Sequence, residues 1–358
     1  MNIWIDILTP KQILFFTPLI QELRARGHEV LSSSRRYREV DLLSSKTSLD
    51  MIFVGKHGGG SLQEKLKASS ERALGLSDVV EKLGLDYAVS FSSPECARVA
   101  FGLGVKHICI SDSPHSEKVC RLTIPLSEIL LAPWVIPYSA WRPYGIGEDS
   151  LVKYRALDPI VWLSRRSAEV GRKEDYGLDS SKKTIMLRLE ESQAAYMLSS
   201  DKSYSKILLD TLLVHFEDCE LFVLGRYASQ ISAIQEAYGS KLRIAEDVVD
   251  GAGLISVSDV FVGMGGTMTT EAALLGIPTV SVFQGGNLYT EDFLIKEGLL
   301  VKPGNVEQVI DTVGDLLQNQ DKRRYLQTRA KTVLDSMEDP VKVVIDTLEK
   351  DAEDAGLL

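Results

Sequence analysis

Short apolar runs of β type alternate with segments of helical period through most of this chain, and that rhythm leaves few folds open. Ile3–Ile7 is the first run. After Thr9-Pro10, the apolar residues Phe15, Phe16, Leu19, Ile20 and Leu23 recur at helical spacing, Gly27 closes the helix and Glu29 to Leu31 begin a second strand. Runs near Met51–Val54, Tyr87–Phe91, His107–Ile110 and Ile129–Leu131 continue the series, and strands alternating with helices build a parallel sheet covered on both faces. An irregular stretch rich in Pro, Gly and charge, from Pro137 to Lys182, interrupts the pattern. It then resumes with Thr184–Leu187, Leu221–Leu224, Leu242–Ile244, Val260–Val262 and Thr279–Phe283. A single eight-stranded barrel would keep its rhythm unbroken. The length, 358 residues, also exceeds what one hydrophobic core usually organises.

The expectation is therefore an α/β protein of two Rossmann-like, doubly wound parallel-sheet domains, residues 1–150 and 183–338, with a linker region at 151–182. In the segment 339–358, Val341, Val344, Ile345 and Leu348 share one helical face and predict a closing helix. Ligands of such sheets bind beyond the carboxyl ends of the strands, so two domains in tandem are expected to face a common cleft.

Fifty acidic against forty basic side chains give a net charge of -10, which repels a phosphate polymer and argues against nucleic acid as a partner. The cysteines Cys96, Cys109, Cys120 and Cys219 form no CxxC pair and lie near no histidine cluster of metal-ligand spacing. They read as buried thiols of a reducing cytoplasm, and no bound metal is expected. The opening MNIWIDILTP carries Asp6 and no basic leader, so it reads as a strand rather than a signal peptide. The most apolar stretch, Ile124 to Trp141, is broken by Pro125, Pro133 and Pro137 and holds Glu128, which argues against a spanning helix. Peripheral membrane contact through Trp134 and Trp141 stays open.

The most informative segment runs from Asp259 to Phe283, DVFVGMGGTMTTEAALLGIPTVSVF, and reads strand, glycine turn, helix, turn, strand. Gly263, Gly265 and Gly266 permit positive φ and let the backbone approach a ligand. Thr267 falls where the helix begins, where free N–H groups and the positive dipole end favour a phosphate. Glu271, one turn further on, is placed to accept hydrogen bonds from the vicinal hydroxyls of a ribose. The plain alternative is a tight βα turn followed by a solvated first-turn acid.

The whole string closely resembles the nucleotide-binding segment of the GT-B superfamily, which includes UDP-N-acetylglucosamine 2-epimerases and the peptidoglycan N-acetylglucosaminyltransferase. With IWIDI and Pro10, RGHEV at Arg26–Val30, GKHGG at Gly55–Gly59 and GGTMTTEAALLGIP at Gly265–Pro278, the chain also resembles, over essentially its whole length, the prokaryotic family called domain of unknown function 354. The resemblance implies a GT-B type fold, a phosphate role for Gly265, Gly266 and Thr267, and a ribose role for Glu271. It also implies a sugar or second-phosphate role for the segment Gln284–Glu291, where Thr290 and Glu291 are similar to a Thr-Glu pair of the epimerases. A UDP-linked sugar is the implied substrate.

Other candidates sit at predicted strand ends. Lys56 and His57, in Gly55-Lys-His-Gly-Gly-Gly60, offer a cation and an imidazole that titrates near neutrality, so His57 is a general-base candidate. Asp112 and His115 follow the strand His107–Ile110 and form a second acid–base candidate. Asp112 or Ser113 suits equally well the cap of a helix starting at Pro114. Arg188 and Arg226 end two strands of the second series and are candidate diphosphate contacts. His28, His107 and His215 read as structural. Epimerisation would call, by the resemblance, for a histidine-arginine-glutamate-asparagine element where this chain has Leu187-Arg-Leu-Glu-Glu-Ser192. The preferred expectation is a glycosyltransferase that needs no metal or other cofactor, takes a nucleotide-diphosphate sugar as donor and uses His57 or Asp112 as base. Epimerisation, and nucleotide-sugar binding without catalysis, are the alternatives. A nicotinamide oxidoreductase is disfavoured, since no GxGxxG follows the first strand. The sequence does not name the acceptor or the oligomeric state.

Overall fold

A computed structural model describes residues 1–36, 38–47, 49–166, 171–189, 203–225, 228–245, 250–286 and 288–358. It divides into two compact units, Met1–Ser164 with Met337–Leu358, and Arg165–Ser336. The segment 151–182 is thus shared between them: Leu151–Tyr154 is a strand of the first unit and Lys173–Tyr176 a single turn of the second.

Among the described residues the first unit carries a seven-stranded parallel sheet. Its strands are β1 (Asn2–Ile7), β2 (Glu29–Arg36), β3 (Ile52–Lys56), β4 (Tyr87–Ser90), β5 (Lys106–Ile110), β6 (Ile129–Pro133) and β7 (Leu151–Tyr154), in spatial order β3-β2-β1-β4-β5-β6-β7. The second unit carries β8 (Thr184–Arg188), β9 (Glu220–Leu224), β10 (Arg243–Ala245), β11 (Val260–Gly263) and β12 (Thr279–Ser281), parallel and ordered β10-β9-β8-β11-β12. Strand order reverses between β1 and β4 in one sheet and between β8 and β11 in the other. These are the switch points at which open α/β sheets bind ligands.

The central strands are near-continuous apolar runs because helices cover both faces: Ile3, Trp4, Ile5 and Ile7 are all fully buried. Thr9 and Pro10 start the first helix, Pro10–Ala25, where proline's fixed φ suits the first turn. The sequence pattern missed β7, a four-residue edge strand entered from the short turn Glu148–Ser150 and paired with β6 alone. The closing helix, Pro340–Asp354, belongs to the first unit. It packs on the helices Pro10–Ala25 and Ile160–Leu163 and is pinned by Arg26–Glu349 at 2.8 Å and Lys106–Asp351 at 2.6 Å.

Within the stretch Ile124–Trp141, Trp141 is withdrawn from the surface. It is fully buried with Cys109, Cys120, Ile124, Leu130 and Ile136 in one apolar cluster, while Trp134 is half-buried. Cys96, Cys109 and Cys120 are buried as expected, whereas Cys219 is half-buried. No helix among the described residues is long and apolar enough to cross a membrane.

Candidate functional site

In the second unit the site is built from backbone. Gly263 ends β11 opposite Arg188 of β8, and the Met264 N–H donates to the Arg188 carbonyl at 3.1 Å, so the glycine turn springs directly from the switch point. Gly263 is required by space: a Cβ there would stand 2.1 Å from the Thr269 hydroxyl. Gly265 and Gly266 are required by conformation, with φ of +87° and +88°, and a Cβ on Gly265 would also meet Phe283 at 2.9 Å. The turn opens the helix Thr267–Leu274, whose N-cap is Gly266 and whose first turn receives no side-chain cap among the described residues. Gly266 is exposed and Thr267 half-buried, so the positive helix end lies at the surface, with the Thr269 N–H turned back to the Gly266 carbonyl at 3.2 Å. Glu271 is only 5% exposed, so it is not the solvated acid of the plain alternative.

Arg188 reaches across the strand ends, its Nη1 donating to the Gly225 carbonyl at 2.7 Å. Arg226, along with Glu190 and Glu191, lies outside the described residues. Thr290 is half-buried in the first turn of the helix Tyr289–Lys296. Glu291 is buried with both oxygens engaged: Oε1 accepts the Ser281 hydroxyl at 2.8 Å and Oε2 meets Lys302 at 3.3 Å. Lys302 also donates to the Gly285 carbonyl at 3.3 Å. Glu291 therefore anchors the loop after β12 through Lys302, a residue that no motif in the sequence singled out.

In the first unit the strand ends carry side-chain chemistry. Lys56 is exposed, and His57 Nδ1 accepts the Gly59 N–H at 3.1 Å. The Nδ1 lone pair of His57 is thus engaged by the backbone. The glycines let this loop hug the helix Leu62–Val80, since a Cβ on Gly58 would come within 2.7 Å of the Lys65 Cα. Beneath it, Arg72 grips Asp6 at the end of β1 with two hydrogen bonds of 2.6 and 3.0 Å, while Ser33 and Ser93 each donate to the same carboxylate at 2.6 Å. Burial raises the affinity of Asp6 for a proton, but the Arg72 charge and these bonds outweigh it and hold the carboxyl below its usual range.

Asp112 and His115 occupy the turn after β5. The helix there starts at Glu117 with Ser116 at its N-cap position, not at Pro114 with Asp112 or Ser113 as cap. His115 is exposed. Asp112 instead forms an ion pair with Lys11 and accepts the Ser113 hydroxyl at 2.7 Å. Lys11 Nζ also meets Asp158 at 2.7 Å and lies 4.1 Å from the centre of the Phe91 ring, and the Tyr154 hydroxyl donates to Asp158 at 2.5 Å. Burial pushes the Asp112 carboxyl up, yet Lys11 and Ser113 bring it below the ordinary carboxylate range. Asp158 moves the other way: burial and the neighbouring Asp112 charge outweigh Lys11 and hold it above that range. Sequence reasoning found Asp112 but neither Lys11 nor Asp158, which are brought beside it only by the sheet.

His107 is buried between Ser90 at 2.9 Å and Ser127 at 2.8 Å, and burial pushes its imidazole down to about 3, so it stays neutral. His28 meets Glu349 at 3.3 Å, and His215 bonds the Thr211 carbonyl within its own helix.

The sequence pattern described as Protein of unknown function (DUF354) matches residues 1–353. The chain belongs to this family. An uncharacterised protein of Methanocaldococcus jannaschii is 25% identical to this DUF354 protein over 324 residues, 88% of this chain and 92% of the relative. Among solved structures, UDP-GlcNAc 2-epimerase from Neisseria meningitidis, bound to UDP-GlcNAc, is similar with a TM-score of 0.77 at 16% identity, covering 98% of this chain and 100% of the other. The S. aureus MnaA-UDP co-structure gives 0.78 at 15%, covering 100% and 97%. Spinosyn rhamnosyltransferase SpnG, complexed with spinosyn aglycone, gives 0.62 at 14%, covering 98% and 100%. The DUF354 protein thus has an α/β fold of the GT-B type, with two parallel sheets, as the sequence led us to expect.

Proposed function

We propose that this DUF354 protein binds a nucleoside-diphosphate sugar at the glycine turn of its second unit and transfers the sugar to a hydroxyl acceptor without a metal. The observation that carries the reading is the uncapped helix end at Gly266–Thr267, reached through two positive-φ glycines at a switch point, with Glu271 one turn along. Such an end offers N–H groups and a positive dipole to a diphosphate, and Glu271 supplies acceptors for ribose hydroxyls. Arg188 adds a cation at the neighbouring strand end. The neighbours whose names carry UDP or UDP-GlcNAc support uridine as the base. Free thiols fit work in a reducing cytoplasm.

A departing diphosphate stabilised by fixed dipoles and cations is the chemistry of metal-independent glycosyl transfer. A second reading, epimerisation, is favoured by the likeness to UDP-GlcNAc 2-epimerase from Neisseria meningitidis, and it requires one group to remove a sugar proton and another to return it. The test is thermal stabilisation by UDP, UDP-GlcNAc, UDP-glucose and ADP, compared with Thr267→Ala and Glu271→Ala. Concentration-dependent stabilisation by a UDP-sugar that is lost in Glu271→Ala is expected; no stabilisation by any of them sinks the reading. With a binding donor in hand, deuterium entering the sugar at C2 from heavy water identifies epimerisation, and UDP release without it identifies transfer.

A further inference from the structure

In the second unit the loops beyond β11 and β12 meet on one ring. A Cβ on Gly265 would stand 2.9 Å from Phe283, and one on Gly285 would overlap the same ring. The half-buried Phe283 is therefore seated between two residues without side chains, one in the glycine turn and one in the loop after β12. With bare backbone against the ring on both sides, neither loop can shift without moving the ring or opening a gap. Lys302 fixes the outer loop from a rigid root. The Val301 N–H before it donates to the Thr279 carbonyl at 3.1 Å, and the Val301 carbonyl accepts the Ser281 N–H at 2.8 Å. From there the Lys302 ammonium lies 5.4 Å from the centre of the Phe283 ring and donates to the Gly285 carbonyl and to Glu291, each at 3.3 Å. Glu291 is itself held by the Ser281 hydroxyl of β12 at 2.8 Å. A line of contacts thus runs from Glu291 through Lys302, Gly285 and Phe283 to Gly265, all of it inside one unit.

We propose that Lys302 is a positioning residue of the nucleotide site: by tying the Gly285 carbonyl to Glu291 it seats the Phe283 ring on Gly265 and holds the glycine turn in its positive-φ form. The proposal rests on the donor reading and deepens it. Glycine visits positive and negative φ about equally, so Gly265 and Gly266, at +87° and +88°, do not choose this conformation by themselves. Packing against Phe283 chooses it for Gly265. A turn already in its binding form spares the ligand the cost of ordering it, so the contribution of Lys302 falls on affinity rather than on a chemical step. Lys302 acts through Phe283 and needs no contact with the nucleotide.

Two measurements on the full-length protein test it, each comparing the wild type with Lys302→Met, Lys302→Arg and the double variant Lys302→Met/Glu291→Gln. The double variant removes the buried carboxylate charge that Lys302→Met alone leaves without its cation. Hydrogen exchange in the ligand-free protein comes first and needs no nucleotide. The Met264 and Thr269 N–H groups flank the turn and donate to the Arg188 and Gly266 carbonyls at 3.1 and 3.2 Å. Both should exchange at least about tenfold faster in Lys302→Met and in the double variant, and near the wild-type rate in Lys302→Arg. Unchanged exchange in the double variant overturns the proposal, whether or not any nucleotide binds. The second measurement is the Kd for UDP-GlcNAc by calorimetry, well below the melting temperature of every variant. Binding should weaken at least about tenfold in both proteins that lack the ammonium and stay within about threefold of wild type in Lys302→Arg. Lys106→Met, which loses an ion pair of the first unit, should bind as the wild type does and so separates positioning from a general loss of stability. Equal affinity in the wild type and the double variant, or an equal loss in Lys106→Met, overturns the proposal and leaves the donor reading standing. A wild-type protein that binds no UDP-GlcNAc removes the donor reading, and the proposal falls with it.

Discussion

The two switch points of this protein solve the same placement problem with different materials. At the first, between β1 and β4, the functional groups are side chains: Lys11, Asp112 and Asp158 above, and Asp6 with Arg72 below. At the second, between β8 and β11, they are peptide groups freed by Gly263, Gly265 and Gly266, with Thr267 and Glu271 as additions. A site made of charges depends on pH and on every partner being present. One made of backbone depends on room and on φ. The two should therefore fail under different perturbations.

The largest expected effect is in the first unit. Arg72→Met leaves Asp6 buried without its cation and should cost about 3–5 kcal/mol in urea unfolding. A second change, Asp6→Asn, should return part of that loss. If Arg72→Met is tolerated, the first switch point is not held by charge and the contrast breaks. Next in size, Gly263→Ala drives a methyl into the Thr269 hydroxyl and should cost about 1–3 kcal/mol. Gly265→Ala should cost about 1–2 kcal/mol for its positive φ and also abolish stabilisation by UDP-GlcNAc.

Acid titration sharpens the contrast further. The depressed Asp6 carboxyl contributes stability that is present above the ordinary carboxylate range and lost as pH falls through and below it. The raised Asp158 carboxyl has the opposite sign: its folded form holds the proton more tightly, so it favours the fold at low pH and weakens it as pH rises above the ordinary range. Asp158→Asn should remove that weakening, seen as a flatter stability profile between mildly acid and neutral pH. The smallest effect is expected at Thr269, whose buried hydroxyl has no hydrogen-bond partner among the described residues. Thr269→Val should be neutral or stabilise by up to about 1 kcal/mol, whereas a loss above that would show that the hydroxyl is used.

The same contrast explains how much was legible in the residues alone. A backbone site must be encoded contiguously, because its glycines, helix start and carboxylate lie one after another along the chain; Gly263 to Glu271 was therefore visible as a string. The strand rhythm was visible for the same reason, apart from β7, whose four residues pair with one neighbour. A side-chain site is assembled by the sheet. Lys11 and Asp112 are 101 positions apart, and neither sits in a pattern that points to the other. Asp112 was singled out for its place at a strand end, but its partner was sought in His115, a near neighbour in sequence. Glu291 was found by its likeness to a known pair, yet the buried bonds to Ser281 and Lys302 that engage it come from residues outside that pair.

The closing helix Pro340–Asp354 makes the first unit discontinuous in the chain and leaves the second continuous. Residues Arg165–Ser336 are contiguous, so this unit draws no strand of its sheet from beyond Ser336. The first unit, although its sheet lies early in the chain, needs Asp351 of the closing helix to meet both Tyr87 and Lys106. A chain truncated after Ser336 should therefore keep the sheet of the second unit and lose stability in the first.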